Sequence, residues 1–355
     1  MPSGLLMRST GSRYIVRGSD GVLHACMAKG KLRIQGYTST NPLAVGDWVE
    51  FTPAAEIVGH ERVGAITQLH DRRNYLVRKS VNLSHHKHVI ASNMDQCIVL
   101  VTVARPFTSF GFIDRVLVTA EAYQIPPVIV FNKVDELHGE ERALLAEYEA
   151  VYRGAGYRTL RTSALQGTGL AEVKELLHGR VSLLVGHSGV GKSTLVNAID
   201  PTLQLDTWEV SASTEKGQHT TTAAQMYEVK LPVVGSPLPV DASRLSGEPA
   251  PGDPDDQRPT TDYPTTTFLI DTPGLKGFGL VDMKQAEIVD QFPEFFARKG
   301  QCRFSDCNHQ LEPGCAVRRA VEEGAIAASR HASYKDMVAG VDEEGNYRTG
   351  PRNNA

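Results

Sequence analysis

Between an apolar run, Val181–Val185, and a helix-forming run ending near Ile199 lies Gly186-His187-Ser188-Gly189-Val190-Gly191-Lys192-Ser193-Thr194, which fits GxxxxGK[ST]. Strand, glycine loop and helix in that order leave few options for the fold around them. Glycines let successive backbone N–H groups converge on phosphate oxygens, and the helix that follows presents its positive end to the same point. Lys192 is placed to charge-pair with β- and γ-phosphates, and the Ser193 hydroxyl to ligate Mg²⁺. A glycine turn carrying Lys-Ser by accident would not bring the flanking strand and helix with it. The sequence therefore predicts an α/β nucleotide-binding domain.

The base is read elsewhere. Asn132-Lys133-Val134-Asp135 follows the apolar residues 128–131 and has the form NKxD. A carboxylate at Asp135 accepts from both N1–H and the N2 amine of guanine. Adenine offers neither donor, so the buried carboxylate would lose about 1–3 kcal/mol per missing bond. Alone, four such residues also suit a polar turn; beside a phosphate loop they point to GTP and GDP. Asp271-Thr272-Pro273-Gly274, after the strand-like residues 267–270, reads as DxxG: Asp271 holding Mg²⁺ through water, Gly274 meeting the γ-phosphate. Thr162-Ser163-Ala164 has the character of a guanine-capping loop. Thr220-Thr221-Thr222 can supply a switch threonine, without indicating which of the three reaches Mg²⁺.

The order of these pieces is unusual. In ordinary GTPases the phosphate loop comes first and NKxD and the capping loop last, whereas here NKxD and the capping loop precede the phosphate loop. The domain is circularly permuted. With that order, and with the flanking segments described below, the chain resembles the ribosome small-subunit-dependent GTPase A family of bacterial ribosome-assembly factors, over nearly its whole length. The resemblance implies a cytoplasmic GTPase that acts with the small ribosomal subunit and its rRNA late in maturation and is stimulated by it. It is expected to work as a monomer. Two further readings stand beside it: a P-loop ATPase or kinase unrelated to the ribosome, which NKxD and DTPG weigh against, and an RNA-binding module that holds GTP as a structural ligand.

The formal net charge of −4 argues against a protein that coats nucleic acid with its whole surface. Residues 1–90 are the exception, with twelve Lys or Arg and six Asp or Glu. Short strand signals at 13–17, 23–27, 32–34, 47–51 and 63–69 suit a small closed all-β barrel in a domain spanning 1–80, and the family resemblance implies an OB-fold. Tyr37, Trp48 and Tyr75 either stack on RNA bases or fill that barrel. Residues 79–95, with His85, His86 and His88 around Lys87, read as a polar linker; HHxH lacks an evident fourth metal ligand.

From 81 to 280 strands alternate with helices: a strand at 96–104, helices near 113–123, 140–154 and 170–177, and a strand at 157–161. This alternation predicts a parallel sheet covered on both faces. Residues 235–266 interrupt it with seven prolines, six acids, two arginines and few large apolar side chains, the composition of a disordered insertion. No stretch is apolar enough to cross a membrane.

Beyond 281 the chain reads as a helical domain, with helices at 283–291 and 314–330 around Cys302, Cys307, His309 and Cys315. Cx₄CxHx₅C supplies three thiolates and an imidazole, the ligand count of a closed structural zinc site with no position for water. Cys26 and Cys97 are left as ordinary thiols. Because of the permutation, the DxxG segment runs through 275–280 directly into this domain, which suggests that γ-phosphate-dependent movement of Gly274 is passed on to it. Leu275 stands where Ras-like GTPases carry a water-orienting Gln, so His219, next to the switch threonines, is the candidate catalytic residue; capping the loop is its other reading.

Overall fold

The computed structural model describes residues 1–29, 43–58, 61–79, 87–205, 224–231, 266–271 and 283–340. His219, Thr220, Thr221, Thr222, Gly274, residues 275–280, the expected strand at 32–34, Tyr37, His85, His86, the tail from 343 and nearly all of the 235–266 segment lie outside these residues.

Five strands open the chain: β1 (Ser3–Thr10), β2 (Arg13–Gly18), β3 (Leu23–Ala28), β4 (Trp48–Val58) and β5 (Glu61–Leu69). β1 pairs antiparallel with β2 and β2 with β3; β3 runs parallel to β5, β5 pairs antiparallel with β4, and β4 returns to β1. That circuit closes a barrel with OB-fold strand order and leaves no free edge among these strands. Leu6, Val16, Val49, Phe51 and Ile66 fill it, each at most 1% exposed. Trp48 packs partly buried against this core, and the Tyr75 ring meets Tyr123 at 5.7 Å between centroids, so both aromatics serve packing.

The 79–95 stretch was expected to be a polar linker, but its described residues include a strand. β6 (Tyr75–Lys79) and β7 (Lys87–Ser92) form a two-stranded antiparallel hairpin. Its end is fastened to the barrel through Asp47, which is fully buried, takes two bonds from Arg72 at 2.6 and 2.7 Å and accepts from Ser92 Oγ at 2.6 Å. Gly46, at φ +92°, makes the approach possible, since a Cβ there would sit 2.1 Å from the Ser92 carbonyl oxygen.

The same sheet continues from the barrel through β8 (Gln96–Val101), β9 (Pro127–Phe131), β10 (Arg158–Arg161), β11 (Val181–Val185), β12 (Gln225–Val229) and β13 (Thr267–Asp271). Their spatial order is β10-β9-β8-β11-β13-β12; the first five are parallel and β12 is antiparallel to β13. Alternation along β8 shows why both faces are covered. Cys97, Val99 and Val101 pack with Ile113, Val116 and Leu117 of α1 (Phe110–Ala122) and with Leu145, Tyr148 and Tyr152 of α2 (Glu140–Gly154). Ile98 and Leu100 face Val173, Leu176 and Leu177 of α3 (Leu170–Leu177) and Leu195, Val196 and Ile199 of α4 (Lys192–Ile199). Each fully buried aliphatic side chain contributes about 1.5–3 kcal/mol. Burial also pushes the Cys97 thiol up to about 12 and Cys26 to about 11, as expected of inert core thiols. Barrel and sheet join where β1 meets β12 at Arg8 and Gln225, and where Arg17 Nε donates to Glu228 at 2.8 Å.

The C-terminal part is helical: α5 (Gln285–Ile288), α6 (Pro293–Phe296), α7 (Ala316–Glu322) and α8 (Ala328–Val338). One helix over 314–330 was the expectation; instead Gly324 at φ +76° ends α7, with Ala325 N–H and Ile326 N–H both folding back on the Ala320 carbonyl, and α8 starts afresh. Arg330 of α8, 1% exposed, docks this unit on the sheet domain: it donates to Glu294 and to Asp114 of α1, both at 2.7 Å, with its guanidinium 4.5 Å from the Phe292 ring centroid. Removing one member of such a buried pair costs about 3–5 kcal/mol.

Candidate nucleotide site and metal centre

Because β8, β9, β10, β11 and β13 are parallel, the segments after them emerge at one edge of the sheet, the place where open α/β sheets bind ligands. The phosphate-loop sequence follows β11, NKxD follows β9, Thr162-Ser163-Ala164 follows β10, and Asp271 ends β13. Motifs scattered from 132 to 271 thus meet at one rim.

Asn132 ties three of these segments together. Only 3% exposed, it donates from Nδ2 to the Val190 carbonyl at 2.8 Å, and its Oδ1 accepts from Thr162 Oγ1 at 3.0 Å. The packing allows no extra atom: a Cβ on Gly191, at φ +94°, would lie 2.6 Å from Asn132 Nδ2, and one on Gly186 would lie 2.3 Å from the Leu100 carbonyl oxygen. Those two glycines are required by close approach. Gly189 also adopts positive φ, and Ser188 is exposed beside it.

Lys192 opens α4 and curls back over the loop, donating to the carbonyls of Gly186 at 2.7 Å and His187 at 2.9 Å. Burial lowers its pKa, while the Asp271 carboxylate pulls the other way. This places the end of β13 electrostatically within reach of the phosphate loop. Ser193 and Thr194 are half-buried in the first turn of α4. The His187 ring packs on Phe112 of α1 with centroids 3.6 Å apart, and burial followed by the nearby Lys192 charge brings its pKa down to about 4. His187 is therefore neutral at physiological pH.

Lys133 adopts a left-handed conformation at φ 60°, after which Val134–Glu136 forms a 3₁₀ turn that holds Asp135 half-buried at the rim. Val134 N–H donates to the Thr162 carbonyl at 3.2 Å, so the NKxD and capping segments are joined by backbone as well as by Asn132. Ser163 is fully buried; its N–H donates to the Thr168 carbonyl and its hydroxyl accepts from Gln166 N–H, both at 3.0 Å, and Ala164 packs against the α3–α4 core. Thr162 emerges as a structural tie, a role that its sequence position alone does not reveal.

In the C-terminal helical unit, the ligand atoms of Cys302, Cys307, His309 and Cys315 lie within 4.8 Å of one another, and these residues can hold a metal ion. Three of the four ligand atoms are spaced as corners of a tetrahedron around one ion. Metal–sulfur bonds of about 2.3 Å and a metal–nitrogen bond of about 2.05 Å imply S···S edges of about 3.8 Å and S···N edges of about 3.6 Å. Cys302 Sγ and Cys315 Sγ are 4.0 Å apart, and His309 Nδ1 is 3.5 Å from the first and 3.4 Å from the second. Backbone N–H groups of Ala316 and Arg318 point at the same two sulfurs at 3.3 and 3.4 Å, which favours thiolates. Tyr334 of α8 fastens the ligand loop by donating to the Asn308 carbonyl at 2.8 Å.

Comparison with known proteins agrees with this architecture. The RsgA N-terminal domain matches residues 3–59 and the RsgA GTPase matches residues 69–237. A protein of Christiangramia forsetii named small ribosomal subunit biogenesis GTPase RsgA is 45% identical over 97% of this chain and 98% of its own length. A protein of the same name from Bacteroides fragilis is 44% identical with the same coverage. Among solved structures, YjeQ from Thermotoga maritima superposes with a TM-score of 0.68 at 31% identity, covering 96% of this chain and 98% of that one. YloQ, described as a circularly permuted GTPase, shares the fold at 23% identity with a TM-score of 0.64.

Proposed function

This chain belongs to the RsgA family of GTPases, and from that premise we propose that it binds the small ribosomal subunit and hydrolyses GTP to GDP and phosphate during late subunit maturation. The observation that carries the reading is the Asn132–Val190 bond, which joins a GKS loop to an NKxD turn across a permuted sheet in a chain whose full-length relatives bear that name. A P-loop kinase or ATPase has no use for a carboxylate placed as Asp135 is.

In this reading the loop Gly186–Thr194 cradles the phosphates, with Lys192 swinging from its two carbonyl partners onto the β- and γ-phosphates. Asp135 reads guanine, Ser163 and Ala164 cap it, and Thr220, Thr221 or Thr222 together with Gly274 answer to the γ-phosphate. Ser193 and, through water, Asp271 would hold Mg²⁺, which when bound neutralises charge developing on the phosphates. His219 orients the attacking water. The Cys302, Cys307, His309 and Cys315 set holds zinc, because three thiolates and an imidazole in a tetrahedral arrangement suit that ion. The zinc is structural. The barrel over about 1–80 and the helical unit from about 281 flank the GTPase domain and grip rRNA. Among the described residues no helix is long and apolar enough to cross a membrane, and we place the protein in the cytoplasm as a monomer.

Co-sedimentation tests this directly. With a non-hydrolysable GTP analogue the protein should pellet with isolated small subunits, and with GDP it should largely stay in the supernatant. Equal recovery in both states, or binding to large subunits instead, would refute the reading.

A further inference from the structure

The segment after β8 carries no nucleotide motif, yet it reaches over the NKxD turn. It is folded tightly: Thr102 Oγ1 donates to the Pro106 carbonyl, and Thr108 N–H donates to the Thr102 carbonyl at 3.1 Å. Arg105 stands at its tip and touches both flanks of Asp135. On one side its carbonyl accepts from Lys133 Nζ at 3.0 Å. On the other its guanidinium donates to the Glu136 carbonyl at 2.5 Å and forms a two-pronged pair with Glu141 of α2, at 2.6 and 2.9 Å. Glu141 in turn accepts from the His138 N–H at 3.1 Å. Arg105 is the first cause of the fall in the Glu141 pKa to about 2, so the carboxylate stays ionised at any working pH.

We infer that Arg105 is a positioning residue for guanine recognition: it clamps residues 133–141 so that the Asp135 carboxylate faces the base, and thereby sets discrimination for the 2-amino group. The inference rests on the reading of Asp135 as the base reader. A fork suits the task because two parallel N–H···O bonds fix an orientation, which a lysine at 105 would not do. Lys133 and Glu136 are the residues on either side of the Val134-Asp135 pair, so holding both fixes the turn between them. Arg105, Glu136, His138, Glu140 and Glu141 line an open cavity of about 570 Å³ beside the turn. Beside the guanidinium, the two segments are linked by Lys133 Nζ on the Arg105 carbonyl and by the Asn132 N–H on the Val101 carbonyl at 2.8 Å, neither of which holds Glu136 or Glu141.

The experiment compares GDP with inosine diphosphate, which lacks the 2-amino group, by calorimetric titration of the full-length protein. In the native protein GDP should bind about 10–100-fold more tightly, the worth of one hydrogen bond to a carboxylate. In R105A the ratio should shrink to about three-fold or less while the thermal melt stays cooperative, and R105K should behave like R105A. E141A should reproduce the loss, with the double variant no worse than either single one. Equal losses for both nucleotides in R105A, leaving the ratio intact, would overturn the clamp, as would full recovery in R105K. D135A separates the two levels of the argument. A collapsed ratio in D135A beside an intact ratio in R105A overturns the clamp alone, whereas an intact ratio in D135A overturns the base-reading assignment on which it rests.

Discussion

Asn132→Ala removes the side chain that holds three loops at the nucleotide rim. Two hydrogen bonds disappear, Asn132 Nδ2 to the Val190 carbonyl and Thr162 Oγ1 to Asn132 Oδ1, at 2.8 and 3.0 Å. Val190 and Thr162 are themselves fully buried. Thr162 keeps a long contact to the Phe131 carbonyl at 3.4 Å, so the harsher loss falls on Val190. At about 1 kcal/mol net per bond, with about 1–2 kcal/mol more for the stranded carbonyl, the total is about 3–4 kcal/mol. The strands beneath are held by their own ladder and core, so part of this cost is met by local opening of the loops. Binding GDP requires them closed and meets the rest. Urea denaturation of the free protein and calorimetric titration with GDP should therefore show losses that together come to about 3–4 kcal/mol, of which the binding share weakens GDP by a factor of up to about 10³. Asn132→Asp keeps the acceptor for Thr162 but turns an oxygen toward the Val190 carbonyl, and should be no milder. Losses below about 0.5 kcal/mol in both assays would refute the argument that this bridge holds the rim together.

Asp135→Asn should weaken GTP by about 10²-fold while admitting xanthosine nucleotides, whose C2 oxygen an amide can meet; competition binding reads both, and unchanged GTP affinity would point to another base reader. Cys307→Ser should release the metal, measured by elemental analysis, and lower the helical signal of residues 283–340, with GDP affinity held within about two-fold because the nucleotide rim lies on the other domain; a matching fall in GDP binding would mean tighter coupling through Arg330. The His187 imidazole should titrate near 4 by NMR. Its folded-state pKa lies below the ordinary 6.5, so the unfolded chain binds more protons between those values and this contribution to stability is lost as pH falls from about 6.5 through 4. Phe112→Ala uncovers the ring and should move the midpoint up toward 6.5; an unmoved midpoint would show that the Phe112 ring is not what keeps water away.

The sheet of the nucleotide domain was legible where a parallel strand is a short apolar run ending in a motif, as 128–131 is before Asn132 and Val181–Val185 before Gly186. β1 was not. Its residues Gly4, Leu5, Leu6 and Met7 are buried in succession, since β1 pairs with β2, β4 and β12 and has little solvent face to write a period of two. β7 hid for the opposite reason: its apolar Val89, Ile90 and Ala91 sit in an otherwise polar stretch, and the burial of Ala91 and Ser92 depends on the distant Gly46 and Asp47. Phosphate-loop and NKxD residues could be expected to meet from their motifs, but the Asn132–Val190 bond that joins them spans 58 residues. Arg330 and Asp114 are separated by 216 positions, and Arg105 precedes the turn it touches by about 30; no local pattern marks either partner. The four residues that can hold a metal ion needed no such help, being confined to fourteen residues whose chemistry is explicit.

If this permuted site is a GTP-hydrolysing switch set by the small ribosomal subunit, the subunit must govern its turnover. Phosphate release from GTP, followed under single-turnover conditions with the protein alone and with purified small subunits or large subunits added, tests it most directly. Turnover should be slow alone, rise about 10²–10⁴-fold with small subunits as the catalytic loop is ordered, and show no increase with large subunits. Turnover that is indifferent to small subunits, or that rises equally with large ones, would contradict it.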